Sequence, residues 1–124
     1  MPSQGNGPQA SPAADTDEAW FVGLISGTSA DGIDAALVSV SSPVEGSTPR
    51  IAVRHARTTP YDPALRATIL RISQAEATLH LDEFGALDSA IGEAFAQAAL
   101  ALLDEAGVSP ARVRAIGSHG QTLR

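Results

Sequence analysis

The 124-residue chain contains no cysteine, which removes disulfides, thiolate catalysis and cysteine-bound zinc together. It contains no lysine either, so its eight basic residues are all arginine. That excludes a P-loop GxxxxGK[ST], a Schiff-base lysine and a Ser-Lys dyad. Any phosphate must then be held by backbone amides, hydroxyls, arginine or a metal. Histidine is sparse, and His55, His80 and His119 stand too far apart in sequence to suggest a metal cage. Positive charge is also short: 8 Lys+Arg against 14 Asp+Glu give a net charge of −6. This speaks against nucleic acid or an anionic membrane as the main partner, since both select basic surfaces. No run reaches the roughly 18 apolar residues of a membrane span. The N-terminus has neither a basic nor an apolar signal region, and the cytoplasm is the expected location.

What remains is 44% hydrophobic and 18% charged, enough apolar material for one small folded domain. Residues 1–19, with Pro2, Pro8, Pro12, Gly5 and Gly7 among small polar residues, read as a disordered leader ahead of a domain over 20–124. WFVGLIS from Trp20 and IDAALVSV from Ile33 predict two strands around a polar turn. RIAVRHART predicts a third, with Ile51 and Val53 half buried and the arginines mostly off that face. Asp62-Pro63 opens a helix carrying Leu65, Ile69 and Ile72. A longer helix runs from about Asp82 to Ala106 with an apolar stripe of Phe84, Leu87, Ile91, Phe95, Ala98 and Leu102, closed by Gly107. VRAIGSHG predicts a last strand. The order strand, strand, strand, helix, helix, strand implies an α/β mixed sheet with helices against it. Trp20 reads as a packing residue, and His55 and His80 as exposed edge residues.

Two segments could carry chemistry. Gly27-Thr28-Ser29-Ala30-Asp31-Gly32-Ile33-Asp34 places two glycines, two hydroxyls and two carboxylates between apolar strands. Glycine admits close backbone approach, and Thr28 and Ser29 offer hydroxyls and amides to a phosphate. Asp31 or Asp34 could hold magnesium. On residue types alone a plain hairpin with an Asp31-Gly32 turn is the commoner use of such a segment. Near the end, His119, Gln121 and Thr122 follow a strand in the manner of ligand-reading side chains, although a lone histidine there is more often structural. A Ser29, His119, Asp31 hydrolase triad has no supporting G-x-S-x-G elbow.

Taken together, FVGLISGTSADGIDAALV, the LDEFGALDSAIGEAFAQAALALL helix and AIGSHGQTLR closely resemble the amino-terminal part of the anhydro-N-acetylmuramic acid kinase family. The resemblance runs from about Phe21 to Arg124, and its G-[LM]-[IM]-S-G-T-S-x-D-G-I-D pattern is highly specific. It implies a ribonuclease H-like, actin-like ATPase first domain of the sugar kinase, Hsp70 and actin superfamily, here incomplete. It also implies ATP and Mg2+ as cofactors, and an amino sugar, 1,6-anhydro-N-acetylmuramic acid, phosphorylated with opening of its anhydro ring. Gly27 to Asp34 would be the ATP phosphate loop, and His119, Gln121 and Thr122 the candidates for the sugar. Ala30 departs from the family's usual leucine. The resemblance further implies a longer protein, an amino-terminal fragment here, a general-base aspartate beyond Arg124 and a homodimer as one option for the full-length form. The alternative is a catalytically inactive phosphate-binding or interaction module.

Overall fold

The computed structural model describes residues 18–42, 44–74 and 77–123. Strands β1 (Glu18–Ser26), β2 (Gly32–Ser41) and β3 (Arg50–Pro60) form an antiparallel meander. Helices α1 (Pro63–Gln74) and α2 (Leu81–Ala106) follow, then a single 3-10 turn and β4 (Val113–Gln121), which pairs parallel to β1. The strand order is β3-β2-β1-β4. This is the expected mixed sheet, with the helical crossover carrying the chain from one edge to the other. Most of the expected leader lies outside the described residues, while Glu18 and Ala19 belong to β1.

Period-two alternation places Val22, Leu24 and Ser26 of β1 and Ile33, Ala35, Leu37 and Ser39 of β2 on the buried face. Against them pack Ile69 and Ile72 of α1 and Leu87, Phe95, Ala98, Ala99, Leu102 and Leu103 of α2. Asp62 caps α1 as its sequence predicts, its Oδ2 accepting from the amides of Ala64 and Leu65 at 3.1 and 3.3 Å. Gly107 stops α2 in the left-handed conformation at φ 70°, and its amide donates to the Asp104 carbonyl. The start of α2 differs from expectation. Its N-cap is His80, without a side-chain bond, and Asp82 falls inside the first turn. Phe84, at the open end of the stripe, is 49% exposed.

α2 is also long and apolar enough by length and composition to cross a membrane, which the sequence expectation of no such span did not include. Here its stripe is spent on the sheet. The Arg57 guanidinium donates to Glu105 Oε2 at 2.5 Å, and His55 Nε2 lies 3.0 Å from Glu105 Oε1, pinning the end of α2 to β3. The His55 hydrogen bond first, and then Arg57, hold the Glu105 carboxyl below its usual value.

A register shift between Leu37 and Val38 accounts for the third strand. On one side of it His55 and Arg57 share the helical face. Beyond it the extra residue reverses the alternation, so Ile51 and Val53 pair with Val40 and Val38 on the opposite face and remain 72% and 67% exposed. The expected half-burial of these two is therefore corrected. On that face, Ala56, Ala36, Gly23 and Gly117 lie side by side across all four strands. They floor a trough that no described helix covers.

Arg54 binds Ser39 Oγ at 2.8 Å and pairs with Glu18, and Arg112 lies over the Trp20 ring at 4.8 Å. Trp20 is thus a packing residue where the sheet begins. The two glycines of the hairpin loop differ sharply. A Cβ on Gly32 would sit 2.8 Å from the Thr59 carbonyl oxygen and 3.3 Å from the Pro60 Cα, whereas one on Gly27 would meet nothing within 4 Å. Gly32→Ala is expected to destabilise the fold by about 1–3 kcal/mol through backbone overpacking. Gly27→Ala should stay within about 0.5 kcal/mol. Urea unfolding of both variants checks the contrast.

Candidate functional site

The hairpin between β1 and β2 turns at Gly27–Ala30, where the Ala30 amide donates to the Gly27 carbonyl at 3.1 Å. Thr28 and Ser29, not Asp31-Gly32, therefore occupy the tip, and Asp31-Gly32 leads back into the sheet. Ala30 takes a left-handed φ of 51° with its methyl fully buried in the core. Burial of one methyl, about 0.8 kcal/mol, offsets part of the roughly 1–2 kcal/mol left-handed cost for an L-residue. The loop is anchored by its smallest apolar side chain.

The carbonyl acceptors along this loop are largely taken. Gly27 O accepts from the Ala30 amide and from Gln121 Nε2 at 2.9 Å. Arg66 of α1 donates to Ala30 O at 3.0 Å and to Ser29 O at 3.3 Å, and its guanidinium also pairs with Asp31 at 3.1 Å. Gly32 O lies 2.9 Å from Ser26 Oγ. Among the described residues, no protein acceptor takes the amides of Thr28, Ser29 or Asp31. A loop with spent acceptors and free donors suits an anion.

At the end of β4, the Gln121 amide joins four segments. Its Oε1 lies 2.6 Å from Ser26 Oγ and accepts from the Tyr61 hydroxyl at 2.8 Å, while its Nε2 donates to Gly27 O and Thr122 O. Thr122, Thr28 and Ser29 line a hollow of about 260 Å³ together with Ser73 and Gln74 of α1. Ser73 Oγ is buried there without a hydrogen-bond partner. Hydroxyls from three separate segments thus surround one small space beside the free amides.

The structure distributes the other candidates. Asp34 turns to the uncovered sheet face and accepts from Thr58 Oγ1 at 2.5 Å, away from Asp31, which stays at the loop with its side chain 76% exposed. Ile33 is a core residue, 1% exposed. Gln121 is spent on the loop, and His119 lies apart from it. His119 lines both the sheet trough, with Gly23, Ala36 and Gly117, and a second hollow of about 530 Å³ between α2 and β4, with Phe84, Leu87, Ile91 and Ser118. The Ser29, His119, Asp31 triad, already without support in the sequence, has no hydrogen bond among its members in the described residues.

Sequence reading missed Tyr61, Ser26, Ser73 and Arg66. Tyr61 and Arg66 flank the recognised Asp62-Pro63 cap, and that proximity was the available signal. Burial raises the Tyr61 phenol above its ordinary value of 10.0, only partly opposed by its hydrogen bond with Ser26. Tyr61 is the chain's single tyrosine, so an ultraviolet phenolate titration reads it directly. The expected midpoint lies above 10.0. The native phenol keeps its proton where the unfolded one has lost it. Stability is therefore full below the unfolded value and falls as pH rises through the folded one. Tyr61→Phe should cost about 1 kcal/mol and remove this alkaline loss.

Comparison with known proteins places these features in a family. The sequence profile described as Anhydro-N-acetylmuramic acid kinase matches residues 19–124. The chain is 48% identical over 104 residues to the anhydro-N-acetylmuramic acid kinase of Xylella fastidiosa, covering 84% of this chain and 26% of that protein. It is 45% identical over 102 residues to the one from Microcystis aeruginosa, covering 82% and 25%, and 41% identical over 106 residues to the one from Nitrosomonas europaea, covering 85% and 27%. The chain spans about a quarter of the length of these curated relatives. Its profile match over nearly all the described residues, with the mixed sheet of the ribonuclease H-like, actin-like ATPase class beneath it, makes this chain a member of the anhydro-N-acetylmuramic acid kinase family.

Proposed function

We infer that residues 27–32 form the ATP phosphate loop of an anhydro-N-acetylmuramic acid kinase. The observation that carries this reading is the loop's polarity: its Gly27, Ser29, Ala30 and Gly32 carbonyls are met from within the fold, and the amides of Thr28, Ser29 and Asp31 have no protein acceptor among the described residues. The Thr28, Ser29 and Thr122 hydroxyls add donors around the adjoining hollow. No lysine is needed, and the chain has none.

In the complete reaction, a water oxygen bonds to the anomeric carbon of 1,6-anhydro-N-acetylmuramic acid as the anhydro bond breaks. The sugar's sixth oxygen takes the γ-phosphoryl group of ATP, giving N-acetylmuramic acid 6-phosphate and ADP. Positioning and charge neutralisation carry most of such a transfer. This chain's part is to seat the phosphates on loop amides and hydroxyls. The base that takes the water's proton is assigned to an aspartate outside these 124 residues.

Magnesium fits Asp31, an exposed carboxylate beside the loop that Arg66 pairs at Oδ1, better than Asp34, which lies on the uncovered sheet face away from the loop. Among the described residues no cluster of three metal-ligating side chains exists. An ion on Asp31 would take its other ligands from phosphate oxygens and water. When bound, the ion would neutralise phosphate charge. His119, beside the hollow between α2 and β4, is the remaining candidate for the sugar, and the cytoplasm is the proposed location. For the 124 residues by themselves, a phosphate-binding module without turnover is the second reading, favoured by their quarter share of the relatives' length.

Titration of the nitrogen-15-labelled chain with magnesium tripolyphosphate should shift the amides of Thr28, Ser29, Asp31 and Thr122. Gly27→Val, which fills the open side of the loop, should weaken that binding at least tenfold, about 1.4 kcal/mol. Equal binding by the variant would return the segment to a plain hairpin. The chain should form no phosphorylated sugar by itself, whereas a protein of the relatives' full length should. Turnover by these 124 residues would overturn the assignment of the base elsewhere.

A further inference from the structure

We propose that Arg66 is a positioning residue for the loop, setting its peptide planes before any ligand arrives. This inference rests on reading residues 27–32 as a phosphate site. Arg66 stands in the first turn of α1, where the Asp62 cap fixes the backbone. From there one guanidinium reaches the carbonyls of Ser29 and Ala30 and the carboxylate of Asp31. Each captured carbonyl belongs to the same peptide unit as the next residue's amide. Fixing Ser29 O and Ala30 O therefore fixes the planes that carry the Ala30 and Asp31 amides.

The geometry needs arginine. Its planar fork spreads several donors over a fixed angle, whereas an ammonium is a compact point charge. Nothing else described takes the Ser29 and Ala30 carbonyls, and Ala30 is already held at a left-handed φ. Without Arg66 the Ala30–Asp31 peptide plane would lose its hydrogen-bonded anchor, and the Ser29–Ala30 plane would keep only the Ala30 amide's bond to the Gly27 carbonyl. The Asp31 pair has a second consequence. Arg66 holds the Asp31 carboxylate in place, and it offsets that group's repulsion toward an incoming polyphosphate. Arg66 thus serves the site through the loop and through Asp31, while the amides and hydroxyls make the direct contacts.

The test compares the intact chain with Arg66→Gln and Arg66→Lys. Backbone order parameters are measured for residues 27–32 without ligand, followed by titration with magnesium tripolyphosphate at two ionic strengths. In the unsubstituted chain the loop should show order near about 0.85, the level of rigid backbone. In both variants it should fall below about 0.6, with β2 and β3 unchanged, and tripolyphosphate affinity should drop at least tenfold. Lysine is expected not to rescue either readout, because charge alone does not reproduce the fork. If lysine restores affinity while the loop stays ordered in both variants, Arg66 is a direct phosphate ligand and the inference fails. Should Arg66→Gln leave order and affinity untouched, the inference also fails, with the phosphate reading intact. A loop that loosens in the variants of a chain that never bound tripolyphosphate would remove the phosphate reading and keep Arg66 as the clamp. Arg66→Lys keeps the test usable if Arg66→Gln does not fold.

Discussion

The side-chain amide of Gln121 is the joint on which the candidate site depends. It sits at the last residue of β4, 94 positions from the Gly27 carbonyl it binds. Through Ser26 it fixes the end of β1, and through Tyr61 it fixes the segment leading into α1. An amide carries both donors and acceptors, so one side chain can satisfy a carbonyl and receive a hydroxyl at once. The parallel pairing of β4 with β1 brings that amide to the hairpin loop.

Gln121 and Arg66 reach the loop from two different elements, the end of β4 and the start of α1, and do the same thing chemically. Both donate to its carbonyls. A β-hairpin loop normally leaves a mixture of acceptors and donors toward water. This one has its Gly27, Ser29, Ala30 and Gly32 carbonyls met from within the fold, and it offers a ligand the amides of Thr28, Ser29 and Asp31 although the chain carries a net charge of −6. The local field is set by the orientation of a few peptide dipoles, which a sum over charged residues does not register.

The sheet illustrates how far periodicity reaches. Alternation in β1 and β2, the Asp62 cap and the Gly107 stop were all readable, because each depends on residues within one turn or one strand of itself. The third strand was misread in one respect: the register shift near Leu37 and Val38 moved Ile51 and Val53 to the uncovered face and put His55 and Arg57 against α2. A bulge is a relation between two strands, and neither strand's sequence records it alone. Phe84 was likewise placed in the stripe by spacing, yet the helix extends past the edge of its packing surface there. The candidate site was legible as a segment, Gly27 to Asp34, but not as an arrangement, since Asp31 and Asp34 part company to opposite sides of the hairpin.

By itself the sequence determined the element order, the family, and the absence of any lysine or cysteine chemistry, because these follow from residue types and short-range spacing. Tertiary structure alone decided which polar groups are spent and which are free. Gln121, read as a ligand contact, is consumed by the loop. Arg66, which sequence reading missed, donates to the carbonyls of Ser29 and Ala30, and Gly32 is a packing glycine while Gly27 opens onto space. The physical reason is that a hydrogen-bonding group's availability depends on partners that may lie anywhere in the chain, and only the folded backbone brings those partners within about 3 Å.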